Sequence, residues 1–273
     1  MSRLGDNSWG KTSVRVSKIH RGDDEHGFSE LTVHVQLTGE VEDAYVRGDN
    51  ARVLPTDTMR NTVYALAQDH LGDDVEGVGR TLAEHFLTRD GINGANVELR
   101  EHRWQRVDPY GFVGGSSERR TARVVLGADT DATWAGVEGL DVLKTTKSAF
   151  RGYPKDEYTT LPETDDRILA TTITSWWKYS RVPTDTTATW NRVREVMLER
   201  FFGDWSASVQ HQGWMIGQAV LEAVPEIAEI EFRLPNQHHI GFDLTRFGME
   251  DRHVVFQPTS EPYGDIRFRN VRK

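Results

Sequence analysis

Four short stretches carry residue types that could do chemistry. Val53-Leu54-Pro55-Thr56-Asp57-Thr58 sets two hydroxyls and a carboxylate where a helix-period apolar pattern begins, at Met59, Val63, Leu66 and Ala67. Thr56, Asp57 or Thr58 is expected to cap that helix. A loop at the positive end of a helix is a good place to bind an anionic or acidic small molecule. Trp9-Gly10-Lys11 puts a lysine at the entrance of a strand, and Asp165-Asp166-Arg167 puts an arginine at the start of another. Leu234-Pro235-Asn236-Gln237-His238-His239 puts an amide and a histidine just after a third. Taken singly, these are an ordinary helix cap, two solvated cations and a turn residue.

Other chemistries find no footing. The chain has no cysteine, which removes disulfides, thiolate nucleophiles and cysteine-ligated zinc. His238 and His239 are adjacent and point to opposite faces of a strand, so they cannot easily share an ion. His34, His70, His85, His102, His211 and His253 have no HExxH or HxH partner. There is no GxSxG elbow. Tyr110–Ser117 is glycine-rich but lacks the phosphate-loop spacings, so it reads as a hairpin tip. A net charge of −9 disfavours nucleic acid and anionic membrane as partners. No apolar run is long enough to span a membrane. Residues 1–7 lack the apolar core of a signal peptide and Phe268–Lys273 is not a Ser-Lys-Leu address, so a cytoplasmic protein is expected.

The elements that must position these residues come in a repeating order. Residues 11–19 and 31–37 read as two strands, 53–71 and 73–91 as two helices, and 95–107 and 120–126 as two further strands. Residues 140–150 and 167–180 then read as strands. A helix follows the Thr186–Thr189 caps, another runs from Val209 to Val224, a strand ends at Pro235, and His253–Phe256 forms the last one. Two copies of one α+β unit of about 130 residues are expected, 1–130 and 131–273, with the boundary near Gly127–Gly136. Four antiparallel strands with two helices on one face leave open edges, which predicts association into a barrel.

In the same order along the chain stand Gly10-Lys11, Pro55-Thr56-Asp57 with Asn61-Thr62, Lys147-Ser148-Ala149-Phe150, Asp166-Arg167-Ile168-Leu169, Ser208-Val209-Gln210 and Leu234-Pro235-Asn236-Gln237-His238. This set resembles the urate oxidase (uricase) family over essentially the whole chain. The resemblance implies a tandem pair of T-fold (tunnelling-fold) units, a homotetramer enclosing a barrel tunnel, and active sites at subunit interfaces. It implies oxidation of urate with O2 and water to 5-hydroxyisourate and hydrogen peroxide, without metal or organic cofactor.

It also implies roles. Arg167 and Gln210 grip one edge of the purine, Phe150 stacks on its face, and the backbones of Val209 and Asp57 complete the hydrogen bonding. Thr56 and Asp57 reach in from a neighbouring subunit. Lys11 and Thr56 form a proton relay, in which the weakly acidic hydroxyl needs the lysine as its basic partner. Asn236 and Thr56 hold O2 and then water, and His238 moves protons to the departing peroxide. Gln237 departs from the family pattern, standing where many relatives carry a lysine. The alternatives are another purine- or pterin-binding T-fold enzyme, or a non-catalytic T-fold binding protein.

Overall fold

Alternation at Leu31, Val33, Val35 and Leu37 buries one face of β2 (His26–Gly39), which pairs antiparallel with β1 (Trp9–Arg21). The computed structural model describes residues 2–115 and 117–273. Met1, and Ser116 in the expected hairpin tip, lie outside the described residues. A short α1 (Glu42–Val46), which the sequence reading did not anticipate, precedes α2 (Thr56–His70) and α3 (Val75–Leu87). Strand β3 (Ile92–Glu101), a small hairpin of β4 (Trp104–Asp108) and β5 (Gly111–Gly114), and β6 (Arg119–Gly127) follow. Then come β7 (Thr130–Lys144), β8 (Leu169–Tyr179), α4 (Thr186–Gly203), α5 (Val209–Ala223), β9 (Ile227–Gly241) and β10 (Phe256–Val271). Eight strands hydrogen-bond in the order β1-β2-β3-β6-β7-β8-β9-β10.

The chain divides into two compact units. The first runs to Val137 and takes in Trp177–Trp190; the second holds Glu138–Trp176 and Asn191–Lys273. In the first, Met59, Val63 and Ala67 of α2 and Val78, Leu82 and Phe86 of α3 cover Val33, Val35, Val97, Leu99 and Val124 of the strands. Burial of each such side chain stabilises by roughly 1.5–3 kcal/mol. In the second, Ile216 and Val220 of α5 and Phe232 and Leu234 of β9 are likewise buried.

Several boundaries differ from the sequence expectation. Pro55, in extended geometry with ψ of 137°, is the cap of α2, so Thr56 is already its first residue and no side chain closes the end. Asp185, not Thr186–Thr189, caps α4, its carboxylate accepting from the Ala188 amide at 2.8 Å. The expected strand 95–107 breaks at His102-Arg103, because the chain leaves β6 there to pair β4 with β5. The expected strand 140–150 ends at Lys144, where three residues later Lys147 turns into the left-handed region at φ 64°. Strand β9 continues through Pro235, whose missing N–H falls beside a register shift of β10 between Thr259 and Gly264. The last strand starts at Phe256, since His253 has φ 53° and cannot continue a ladder.

Helix α5 lies close on β9 and β10 because it lacks side chains at Gly213 and Gly217. A Cβ at Gly213 would overlap the Phe268 ring and Leu234, and one at Gly217 would overlap Asn270. Gly213→Ala is expected to cost about 1–3 kcal/mol by overpacking. Urea unfolding of the variant measures this, and an unchanged midpoint would show that the face can give way.

Candidate functional site

The segment from Lys147 to Phe150 is held by backbone on both sides. Ala149 N–H donates to Ser206 O at 2.9 Å, and Ser206 N–H donates to Lys147 O at 3.0 Å. On the other side Phe150 and Thr164 exchange a pair of bonds at 2.9 and 3.0 Å, and Arg167 N–H donates to Ser148 O at 2.8 Å. The segment thus brings Phe150 and Arg167 together and ties them to the linker that leads into α5. The Arg167 guanidinium lies 5.3 Å from the Phe150 ring centroid. Tyr153 stacks on Phe150 at 4.8 Å and 17°.

Arg167 has no carboxylate partner among the described residues. The neighbouring Asp166 is already taken up by Thr146 Oγ1 and the Lys147 amide, both at 3.0 Å. Arg167 Nε–H is buried and donates to no partner among the described residues, and the hydroxyls of Ser148 and Ser206 are also buried without one. Burial therefore pushes the guanidinium below the usual arginine value. A half-buried guanidinium with no carboxylate partner, beside an aromatic ring, has the planar donor fork that a planar anion would match.

The start of α5 faces the same need. Ser208 caps it, its Oγ accepting from the His211 amide at 3.1 Å. Val209 and Gln210 carry first-turn N–H groups that no helical carbonyl can take. The Val209 side chain is buried and Gln210 is exposed. On β9, Asn236 and His238 are two residues apart and share a face, opposite Gly264 and Thr259 of β10. Gln237 points the other way and donates to Thr172 Oγ1 at 2.8 Å, which in turn donates to Asp141.

The remaining candidates lie in the first unit. Lys11 is half-buried on β1 beside a bulge between Lys11 and Val14, where Ser13 has φ 57°. Thr56 and Asp57 are exposed at the start of α2, and the Trp9 indole donating to Leu54 O at 2.9 Å ties the two elements together. The Asp57 carboxylate pairs with Arg60 at 2.9 Å and accepts from Asn61 at 3.2 Å, which leaves its backbone as the available contact. Among the described residues no three His, Asp or Glu side chains converge as a metal site, and no helix is long and apolar enough to cross a membrane.

One residue at this site escaped the sequence reading. Lys144 is 6% exposed, and its ammonium donates to Asp204 O at 2.8 Å and Gln212 Oε1 at 2.6 Å. Gln212 also donates to Arg200 O at 3.0 Å, and Lys147 Nζ to Gly203 O at 3.3 Å. The carboxyl end of α4 is therefore closed by groups from the site segment and from α5, with cations at the negative end of the helix. The signal was present in the alternation, because Lys144 continues the buried series Leu140, Val142.

These features define a class: a chain of paired α+β units, antiparallel where β1, β2, β3 and β6 and where β9 and β10 meet, with a guanidinium beside an aromatic ring in the second. The family model described as Uricase matches residues 7–135 and again 133–267. The uricase of Arthrobacter globiformis is 41% identical over 266 residues, covering 96% of this chain and 88% of that protein. The uricase of Aspergillus flavus is 36% identical over 293 residues, covering 98% and 96%. The crystal structure of the Arthrobacter globiformis uricase superposes with a TM-score of 0.97 at 39% identity, covering all of this chain and 96% of that one. The chain belongs to the uricase family, and its fold is the tandem T-fold.

Burial holds the Lys144 pKa at about 8, below the ordinary 10.5. The unfolded chain then binds this proton more tightly, so the group's contribution to stability rises as pH climbs from about 8 towards 10.5. The stability of the wild-type protein relative to Lys144→Met should increase by on the order of 1 kcal/mol between about pH 7.5 and about pH 9.5. Urea titrations at the two pH values measure the difference, and a flat one would contradict the assignment.

Proposed function

We propose that the protein is a urate oxidase, converting urate, O2 and water to 5-hydroxyisourate and hydrogen peroxide without metal or organic cofactor. The observation that carries this is the half-buried Arg167, with no carboxylate partner and set beside Phe150, in a chain of the uricase family. Urate is a flat purine that ionises readily. Arg167 supplies a planar fork for its oxygen edge, Gln210 reads a neighbouring N–H and C=O, and Phe150 supports the ring face. The backbone amides of Val209 and Asp57 complete the ring of donors.

Lys11 and Thr56 act as the proton relay that brings urate to its more electron-rich anion, which reduces O2 directly. Asn236 and Thr56 hold O2 and then water above the ring. His238 carries protons to the leaving peroxide. Their common face on β9 supports a joint role for Asn236 and His238. The double match of the family model supports reading the chain as two copies, 1–130 and 131–273. In this reading four chains assemble into a barrel, and Thr56 and Asp57 of one serve the site of another.

The test is urate loss and O2 uptake with excess chelator present. Turnover with one peroxide formed per urate is expected. Absence of turnover sinks the reading, and turnover only on adding metal favours a metal-dependent T-fold enzyme. Thr56→Ala is expected to lower kcat by about 10²–10⁴-fold while changing KM little. An unchanged kcat would remove Thr56 from the relay.

A further inference from the structure

The two units each contain a helix that follows another helix and precedes a strand, and the two starts are alike in their cap and in the valine after it. Asp74-Val75-Glu76 opens α3 and Ser208-Val209-Gln210 opens α5. In each the cap side chain accepts from the amide three residues on, Asp74 from Gly77 at 2.9 Å and Ser208 from His211 at 3.1 Å. In each the next residue is a buried valine. The third position differs: Gln210 is exposed, whereas Glu76 is 1% exposed.

What covers Glu76 is Arg120, itself 2% exposed. Its Nη2 donates to Glu76 Oε2 at 2.5 Å and to Thr186 Oγ1 at 3.1 Å. Its Nη1 donates to Asp73 O at 3.0 Å and Thr187 Oγ1 at 2.9 Å. The guanidinium lies 6.0 Å from the Trp190 ring centroid. Thr186 and Thr187 are fixed in turn by Asp74 Oδ1 at 2.8 Å and Asp73 O at 2.7 Å. A flat group is thus held at the helix start by an acceptor at the third position, by backbone and beside an aromatic ring. Glu76 Oε1 and Arg120 Nε remain buried without partners among the described residues.

We propose that the Asp74–Glu76 corner is the first unit's copy of the ligand-anchoring corner, specific for a guanidinium-class cation that the chain itself supplies as Arg120. The inference rests on reading Val209 and Gln210 as the substrate anchor. The change of one side chain sets the ligand class. A glutamine amide offers both a donor and an acceptor, matching a purine edge. A carboxylate only accepts, so its ligand must present N–H groups, and among such ligands a guanidinium also offsets the buried negative charge. Arg120 fills the corner and closes it to ligands from solution.

Arg120→Ala leaves a flat vacancy facing Glu76. The full-length variant is melted in millimolar methylguanidinium, methylammonium or sodium chloride at matched ionic strength. Methylguanidinium at saturating concentration is expected to raise its Tm by about 2–4 °C over the other two salts, and to leave wild type unmoved. The Glu76→Ala, Arg120→Ala double variant should lose the effect. Equal shifts with methylammonium, no shift, or the same shift in wild type would overturn the proposal. If the variant does not accumulate folded, refolding from urea gives the same decision: recovery with methylguanidinium alone supports it, and recovery with neither cation counts against it. Gln210→Ala tests the parent reading separately, through KM for urate, so an unchanged KM there is distinguishable from a failed melt here.

Discussion

A half-buried guanidinium without a carboxylate partner is the constraint around which the second unit is arranged. Arg167 loses hydration on burial and gains no carboxylate in exchange, since Asp166 is turned to Thr146 and the Lys147 amide. Such a group is tolerated only when the surrounding backbone over-determines its place. Here the over-determination is visible as the two-sided clamp on residues 147–150, fastened to Thr164 and Arg167 on one flank and Ser206 on the other.

The first unit handles the same charge type in the opposite way. Arg120 is more deeply buried than Arg167, and it meets a carboxylate, two hydroxyls and a carbonyl. Each unit therefore holds one such arginine, paired with a carboxylate in the first and without one in the second. Removal of Glu76 would leave a buried charge behind.

Much of the fold was legible because its helices and long strands repeat with clean periods. Met59, Val63 and Ala67 mark α2 and Leu31 to Leu37 mark β2, and all are buried as their spacing requires. The boundaries that moved did so for reasons local patterns do not carry. Lys147 and His253 sit at positive φ without being glycine, and Pro55 takes the cap position expected of one of the three polar residues after it, leaving the end without a side-chain cap. The candidate residues could be named from their order along the chain. That Phe150 meets Arg167, and that Arg167 lacks an acid, depends on long-range backbone pairing that no window of sequence contains. Lys144 was recoverable, since a lysine in phase with Leu140 and Val142 breaks the rule for a buried strand face.

The clamp on residues 147–150 is made of main-chain groups, and this separates the geometry of the cradle from the identity of most side chains that build it. Every residue except proline offers the same N–H and C=O. Position 164, half-buried, can thus change its side chain while the Phe150 ring and the Arg167 fork keep their spacing, whereas the buried Ala149 and Ser206 admit only small ones. Drift in sequence and constancy of shape are compatible at such a site, and a library that varies these positions while sparing Phe150 and Arg167 samples surroundings without dismantling the binding geometry.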